Sequence, residues 1–254
     1  MPAEESTPAI VLRARDYAEA DRIVTLLTRD MGKISGIAKG AKASRYRFER
    51  KLEPFSHVML HFRRRPHGEL VFITRAEAAD LSQPRVDDDL IKIALGSYML
   101  EMADLLTSQE AEAAQAYQML SEALATLGAS HPGVALRQAF ELRFLEWAGF
   151  GLEFGRCRIC AKAPDEGARA VYFIVARGGV VCERCRPSIA EGAIRLDPLS
   201  AYALSRLGAA RLEDAPGLPP AGADGAVAIA RFVASVIDRR LRSTEFLDSV
   251  LPIN

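Results

Sequence analysis

The hydrophobic pattern changes period near residue 84. Before it, short apolar runs fall at 9–14, 23–28, 33–38, 57–63 and 70–74. The 57–63 run alternates, with Val58, Leu60 and Phe62 on one face and His57, Met59, His61 and Arg63 on the other. That period of two predicts strands, not helices. Five short strands in about eighty residues with no intervening helix predict a small closed β-barrel, and an OB-fold fits the size and strand count. After Pro84 the spacing becomes three and four. Ile91, Leu95, Tyr98, Met99, Met102, Leu105 and Leu106 predict an amphipathic helix capped by Asp87. Further helices are expected over 110–127, stopping at Gly128, and over 134–148, opened by Pro132, with Leu136, Phe140, Phe144 and Trp147 as the apolar stripe. Asp197-Pro198 predicts a cap and first turn for a short helix to about 207. The proline- and glycine-rich stretch 212–225 predicts a loop. A last helix is expected over 226–241, with Arg239, Arg240 and Arg242 at its negative pole. The fold class is therefore α+β. Residues 1–82 would form the barrel, 83–150 and 193–254 a helical body, and 151–192 an insertion carrying all four cysteines.

Those cysteines form two pairs, Cys157-x2-Cys160 and Cys182-x2-Cys185, separated by twenty-one residues. Each C-x2-C turn aims two thiolates at one point, and two turns complete a tetrahedron. The spacing predicts a zinc ribbon with one Zn2+, and four protein ligands leave no open position, so the metal would be structural. Residues 171–175 and 180–182 read as a hairpin around Gly178 and Gly179. Arg156, Arg158, Lys162, Arg184 and Arg186 would offset the centre's negative charge. Two disulfides are the competing reading, and a reducing cytosol disfavours them.

Basic and acidic side chains balance at 33 each, but not locally. Residues 29–65 hold eleven basic groups against three acidic ones, and the stretch after them is acidic. Such a window suggests a polyanion partner; the plainer alternative is a solvated basic face. Lys39, Lys42, Arg45, Arg47, Arg50 and Lys51 would neutralise phosphates from the connection between the third and fourth strands. Lys33 and the run Arg63, Arg64 and Arg65 would add to them. Tyr46 and Phe48 would stack on unpaired bases, or else close one end of the barrel. No base-reading helix is visible, so weak sequence preference is expected. His57 and His61 read as surface or barrel residues, not a metal pair.

No apolar stretch is long enough to cross a bilayer, and residues 1–8 do not read as a secretory signal, so a cytoplasmic protein is expected. Phosphate-loop, nucleophile-elbow, H-E-x-x-H and dinucleotide fingerprints are missing from the sequence. No small-molecule substrate and no enzymatic activity are expected.

Taken in order, several segments resemble the RecO family of bacterial recombination mediators. They are 10–28, 32–34, 38–42, the run 140–151 leading into Cys157-x2-Cys160, 178–185 and 240–247. The resemblance covers most of the chain; 152–156 and 209–225 depart from it. It implies an N-terminal OB-fold, a helical body and a zinc ribbon packed on that body. It also implies binding of single- and double-stranded DNA, annealing of complementary strands, and nucleoid association. The partners it implies are RecR and the acidic tail of the single-stranded DNA-binding protein SSB, with RecA loaded downstream. Arg137 and Arg143 would rim a groove for that tail. A zinc-ribbon protein adaptor and an OB-fold RNA-binding or transcription factor are the alternatives.

Overall fold

The computed structural model describes residues 3–252 apart from 45, 49, 66–68, 80–85, 87–88, 109–112, 132, 166 and 191. The chain divides into two compact units, Met1–Ala129 and Ser130–Asn254.

In the first unit, β1 (Glu5–Tyr17), β2 (Asp21–Thr28), β3 (Gly32–Ala38), β4 (His57–Arg63) and β5 (Leu70–Ala78) close a barrel in the order β1-β2-β3-β5-β4. β1 pairs antiparallel with both β2 and β4, while β3 and β5 run parallel. This is the expected OB-type closure. Alternation fills the interior with Ala9, Val11, Val24, Leu26, Val58, Leu60, Phe62 and Ile73, each large aliphatic group contributing about 1.5–3 kcal/mol on burial. Gly36 is required by closeness: a Cβ there would stand 2.7 Å from Ile73 and 2.8 Å from Val71.

β2 is buried on both faces from Ile23 to Thr28. Helices α1 (Leu90–Leu106) and α2 (Ala114–Ala129) account for the outer side: α1 packs on β1, and α2 on β1 and β2. The cap of α1 is Asp89, whose carboxylate accepts the amides of Ile91 and Lys92 at 2.7 and 3.1 Å. Asp87, expected there, lies outside the described residues, as do residues 110 and 132, where two helices were expected to open. α2 runs through Gly128 instead of stopping there.

In the second unit, α3 (Val134–Trp147) is buried on nearly all sides from Ala135 to Leu142, so it is not the one-sided stripe its spacing suggests. Gln138, fully buried, exchanges two hydrogen bonds with the Ala221 backbone at 2.9 and 3.2 Å and pins the proline-rich loop. β6 (Val171–Ile174), β7 (Gly179–Cys182) and β8 (Ile194–Leu196) form a sheet ordered β7-β6-β8. Its hairpin turns at Gly178, φ +56°. β8 was not read from the sequence; three residues carry too little alternation. α4 (Pro198–Ala209) opens on the Asp197 cap as expected. α5 (Ala223–Ile237) ends in Asp238 at φ +54°, and a further helix, α6 (Ser243–Val250), follows. Arg239 and Arg240 therefore lie in the α5–α6 connection, directly after the α5 C-cap, and Arg242 at the N-terminal cap of α6. Among the described residues no helix is long and apolar enough to cross a membrane.

Candidate metal centre and nucleic-acid interface

Local backbone pairing brings the two C-x2-C turns together. The Glu153 amide donates to the Gly178 carbonyl at 3.0 Å, the Val180 amide donates to the Glu153 carbonyl at 2.9 Å, and the Arg158 amide donates to the Val180 carbonyl at 2.9 Å. That run sets Cys157 beside Cys182, the last residue of β7. Ala161, at φ +58°, closes the first turn, and its amide reaches the Cys157 carbonyl at 2.9 Å. The second turn closes through the Cys185 amide on the Cys182 carbonyl at 3.1 Å.

The four Sγ atoms lie within 4.8 Å of one another, and none is in a disulfide. Cys160 and Cys182 Sγ are 3.9 Å apart. A tetrahedral ion with metal–sulfur bonds of about 2.3 Å has edges of roughly 3.8 Å, so the donor set fits one metal ion. Burial pushes the Cys157 thiol up, but the backbone amides of Cys160, Cys182 and Ile159 outweigh it and bring its pKa down to about 6. Cys185, hydrogen-bonded by its neighbours Cys182, Cys160 and Cys157 and crowded by the Cys157 charge, is pushed up to about 12. Four thiols this close cannot all ionise without a cation among them.

Three of the surrounding arginines make their hydrogen bonds away from the sulfurs. Arg158 donates to the Gly151 and Gly178 carbonyls, both at 3.1 Å. Arg184 reaches Asp165 at 3.4 Å, and Arg186 the Ile189 carbonyl at 2.6 Å. Backbone amides, not guanidinium groups, face Cys157 Sγ.

In the first unit the basic residues separate to opposite ends of the barrel. β1 ends, β2 begins and β3 ends at one mouth, where the 39–56 connection crosses. The Lys42 amide bonds the Ala20 carbonyl at 3.1 Å, and the Gly40 amide bonds Asp21 at 2.9 Å. Tyr46 is 92% exposed there; Lys39, Arg47 and Arg50 are exposed, and Lys51 is half-buried. The Lys42 ammonium stands 2.9 Å from Asp16, holding that carboxyl below its usual range, and Arg47 lies over the Phe48 ring at 5.1 Å. Arg45 lies outside the described residues.

Two expected contact residues are corrected. Phe48 is 2% exposed and, with Leu52, plugs the barrel mouth, so it is core and not a stacking platform. Lys33 sits on the Asp104 carboxylate of α1 at 3.2 Å and bonds the Asp104 carbonyl, so it ties helix to barrel and presents no free charge. Arg63, Arg64 and Arg65 are at the far mouth, roughly 20 Å along β4. There Arg63 faces Glu4 at 3.9 Å and Arg64 faces Glu5 at 3.1 Å. Counting charge along the chain cannot see this, because β4 runs the length of the barrel between the two groups.

Arg137 is corrected as well. Arg137 is buried against Glu141 and Asp248, at 3.1 and 2.9 Å, and Arg143 donates to the Ala210 carbonyl at 3.1 Å. Arg137 cannot rim an open groove.

Comparison with known proteins covers both units. The family model for the recombination protein O N terminal matches residues 1–81, and that for the recombination protein O C terminal matches 87–245. The chain is 38% identical to the DNA repair protein RecO of Anaeromyxobacter sp. (strain Fw109-5), over 96% of this chain and 95% of that one. It is 34% identical to the DNA repair protein RecO of Myxococcus xanthus (strain DK1622), over 95% and 96%. It is 31% identical to that of Symbiobacterium thermophilum, over 95% of each.

Proposed function

The chain belongs to the recombination protein O family, and from that premise we propose that it mediates DNA repair and recombination by binding DNA and annealing complementary strands, without catalysis. The observation that carries the reading is the barrel-mouth connection: an exposed tyrosine, Tyr46, set among Lys39, Lys42, Arg47, Arg50 and Lys51. Cations there release counterions from phosphates, and the ring offers a base-tolerant stacking surface. Arg45 belongs to the same proposed set. Arg63, Arg64 and Arg65 form a separate contact at the other mouth, for a second strand or for the duplex arm. A multi-site electrostatic surface lets two strands meet and leaves their pairing edges unoccupied.

The metal in this reading is a single structural Zn2+ on Cys157, Cys160, Cys182 and Cys185, which cross-links the ribbon when bound. The proposed organisation is four segments with boundaries at 82, 150 and 192; the family-model limits at 81 and 87 support the first of them, while the division between the two compact units at 129 falls inside the second segment. RecR, the acidic tail of SSB and, downstream, RecA are the proposed partners, in a cytoplasmic, nucleoid-associated setting. For the acidic tail, the exposed row Leu199, Tyr202 and Arg206 on α4 replaces Arg137 and Arg143 as the proposed landing place.

The test is annealing of complementary oligonucleotides, bare and SSB-coated, without nucleotide or added metal. Acceleration that fades with salt is expected. If about five phosphates are neutralised, the log–log salt slope for a single strand is roughly −3.5. Changing Arg45, Arg47, Arg50 and Lys51 together to Ala should flatten that slope and slow annealing. Unchanged annealing would move the site off this connection.

A further inference from the structure

A second group of exposed cations and an aromatic lies outside the basic window. β1 carries a bulge between Val11 and Arg13. Before it, the outward residue Ile10 is fully buried under the helices; after it, the outward row emerges into solvent. Ala14 packs toward the barrel core, so alternation turns Arg13, Arg15 and Tyr17 outward on one line. The Arg13 side chain is 65% exposed, Arg15 is exposed and Tyr17 is 52% exposed.

The row ends where the basic connection begins. Tyr17 pairs with Asp21, the residue whose carboxylate receives the Gly40 amide, and its neighbour Asp16 holds Lys42. The acids beside the row are thus engaged: Asp16 with Lys42 and Arg22, Asp21 with the Gly40 amide, and Asp104 with Arg13 and Lys33. The Arg13–Asp104 pair is largely solvent-exposed on the arginine side, and such pairs exchange readily for a phosphate. Glu19 stands beyond the row, in the β1–β2 turn.

We propose that Arg13, Arg15 and Tyr17 are a second section of the DNA path, carrying a single strand from the 39–51 connection down the outer face of β1, with Tyr17 stacking on a base. The inference rests on the DNA-binding reading above and extends it to residues that charge counting missed. Alternate strand positions set the Cα atoms of the two arginines about 6.6 Å apart in one line, which a flexible strand can follow. An exposed ring at the end of a basic row can stack only on an unpaired base, which makes a single strand the occupant it fits.

The experiment compares full-length wild type, Arg15→Ala, Tyr17→Ala, Tyr17→Phe and the Arg45/Arg47/Arg50/Lys51→Ala variant. Binding is read by fluorescence anisotropy across a salt series. One probe is a labelled oligo-dT; the other is a phosphodiester spacer of equal length without bases. Tyr17→Ala should weaken oligo-dT binding about 5- to 150-fold and barely affect the spacer, while Tyr17→Phe should restore it. Arg15→Ala should reduce the salt slope by about 0.7 on both probes. If the connection variant loses affinity but the Arg15 and Tyr17 variants bind as wild type, the β1 row is overturned and the parent reading stands. Equal loss on both probes for Tyr17→Ala would overturn stacking. Wild-type protein that binds neither probe would bring down the parent reading, and the row with it. Tighter binding of oligo-U than oligo-dT would assign the row to RNA instead. Unchanged thermal midpoints show that the variants fold; with over half its surface in solvent, Tyr17 contributes little packing.

Discussion

Tyr46 and Phe48 stand two residues apart in one connection and end in opposite environments, 92% and 2% exposed. Their sequence context is the same, a run of arginines, so only the position of the barrel mouth separates them. Truncating Phe48 to Ala should cost about 3–5 kcal/mol of stability, because it opens a cavity in the plug it forms with Leu52. Truncating Tyr46 to Ala should leave the thermal midpoint in place and cost about 1–3 kcal/mol of single-strand affinity. Denaturant titration and anisotropy measured side by side check this; a Phe48 variant with normal stability and weakened binding would reverse the assignment. The cysteines make a second residue-scale case. If the proposed site holds zinc, wild-type protein should carry one per chain and Cys160→Ser should bring that toward zero, measured by elemental analysis under reducing conditions.

Elements here are tied by polar groups that hydrophobic periodicity does not report. Asp224, in the first turn of α5, accepts the Asp197 amide at 2.6 Å, the Ser200 hydroxyl at 2.7 Å and the Gly225 amide at 2.8 Å. One carboxylate thus joins the end of β8, the start of α4 and the start of α5. Burial alone would raise its pKa, but those three donors prevail and hold it below the usual carboxylate range. A depressed carboxyl contributes stability above its unfolded pKa and loses it as pH falls through the folded value. Asp224→Asn should therefore lower stability by about 1–2 kcal/mol at neutral pH. The gap to wild type should narrow as the pH falls through and below the ordinary aspartate range; a constant gap across that range would show that charge plays no part. Two of these elements, α4 and α5, were legible early, because Asp197-Pro198 is a cap signal and α5 is strongly amphipathic. β8 and α6 were not. A three-residue strand shows no period, and Asp238 ends α5 by adopting φ +54° without the glycine that usually marks such a stop.

At the scale of the molecule, the five barrel strands and the cysteine framework could be read directly, although β1 begins at Glu5 and not at residue 9, since alternation and C-x2-C spacing are local properties. The sidedness of the basic residues could not, because it depends on the order β1-β2-β3-β5-β4. That order has a further consequence. β3 and β4 follow each other in sequence but are not neighbours, so the 39–56 connection is a strap across the barrel mouth and carries no pairing of its own between them. If the backbone is cut once in the strap, for instance by trypsin after Lys42, β1, β2 and β3 remain on one fragment and β4 and β5 on the other. The β1–β4 and β3–β5 ladders still span the cut, and Phe48 and Leu52 stay plugged from the second fragment. The nicked protein should run as two bands on a denaturing gel yet elute as one species in gel filtration. Fragments that separate under native conditions would mean that the strap itself holds the barrel shut. If the nicked barrel persists, this protein can be expressed as two complementing pieces joined only by their strand edges.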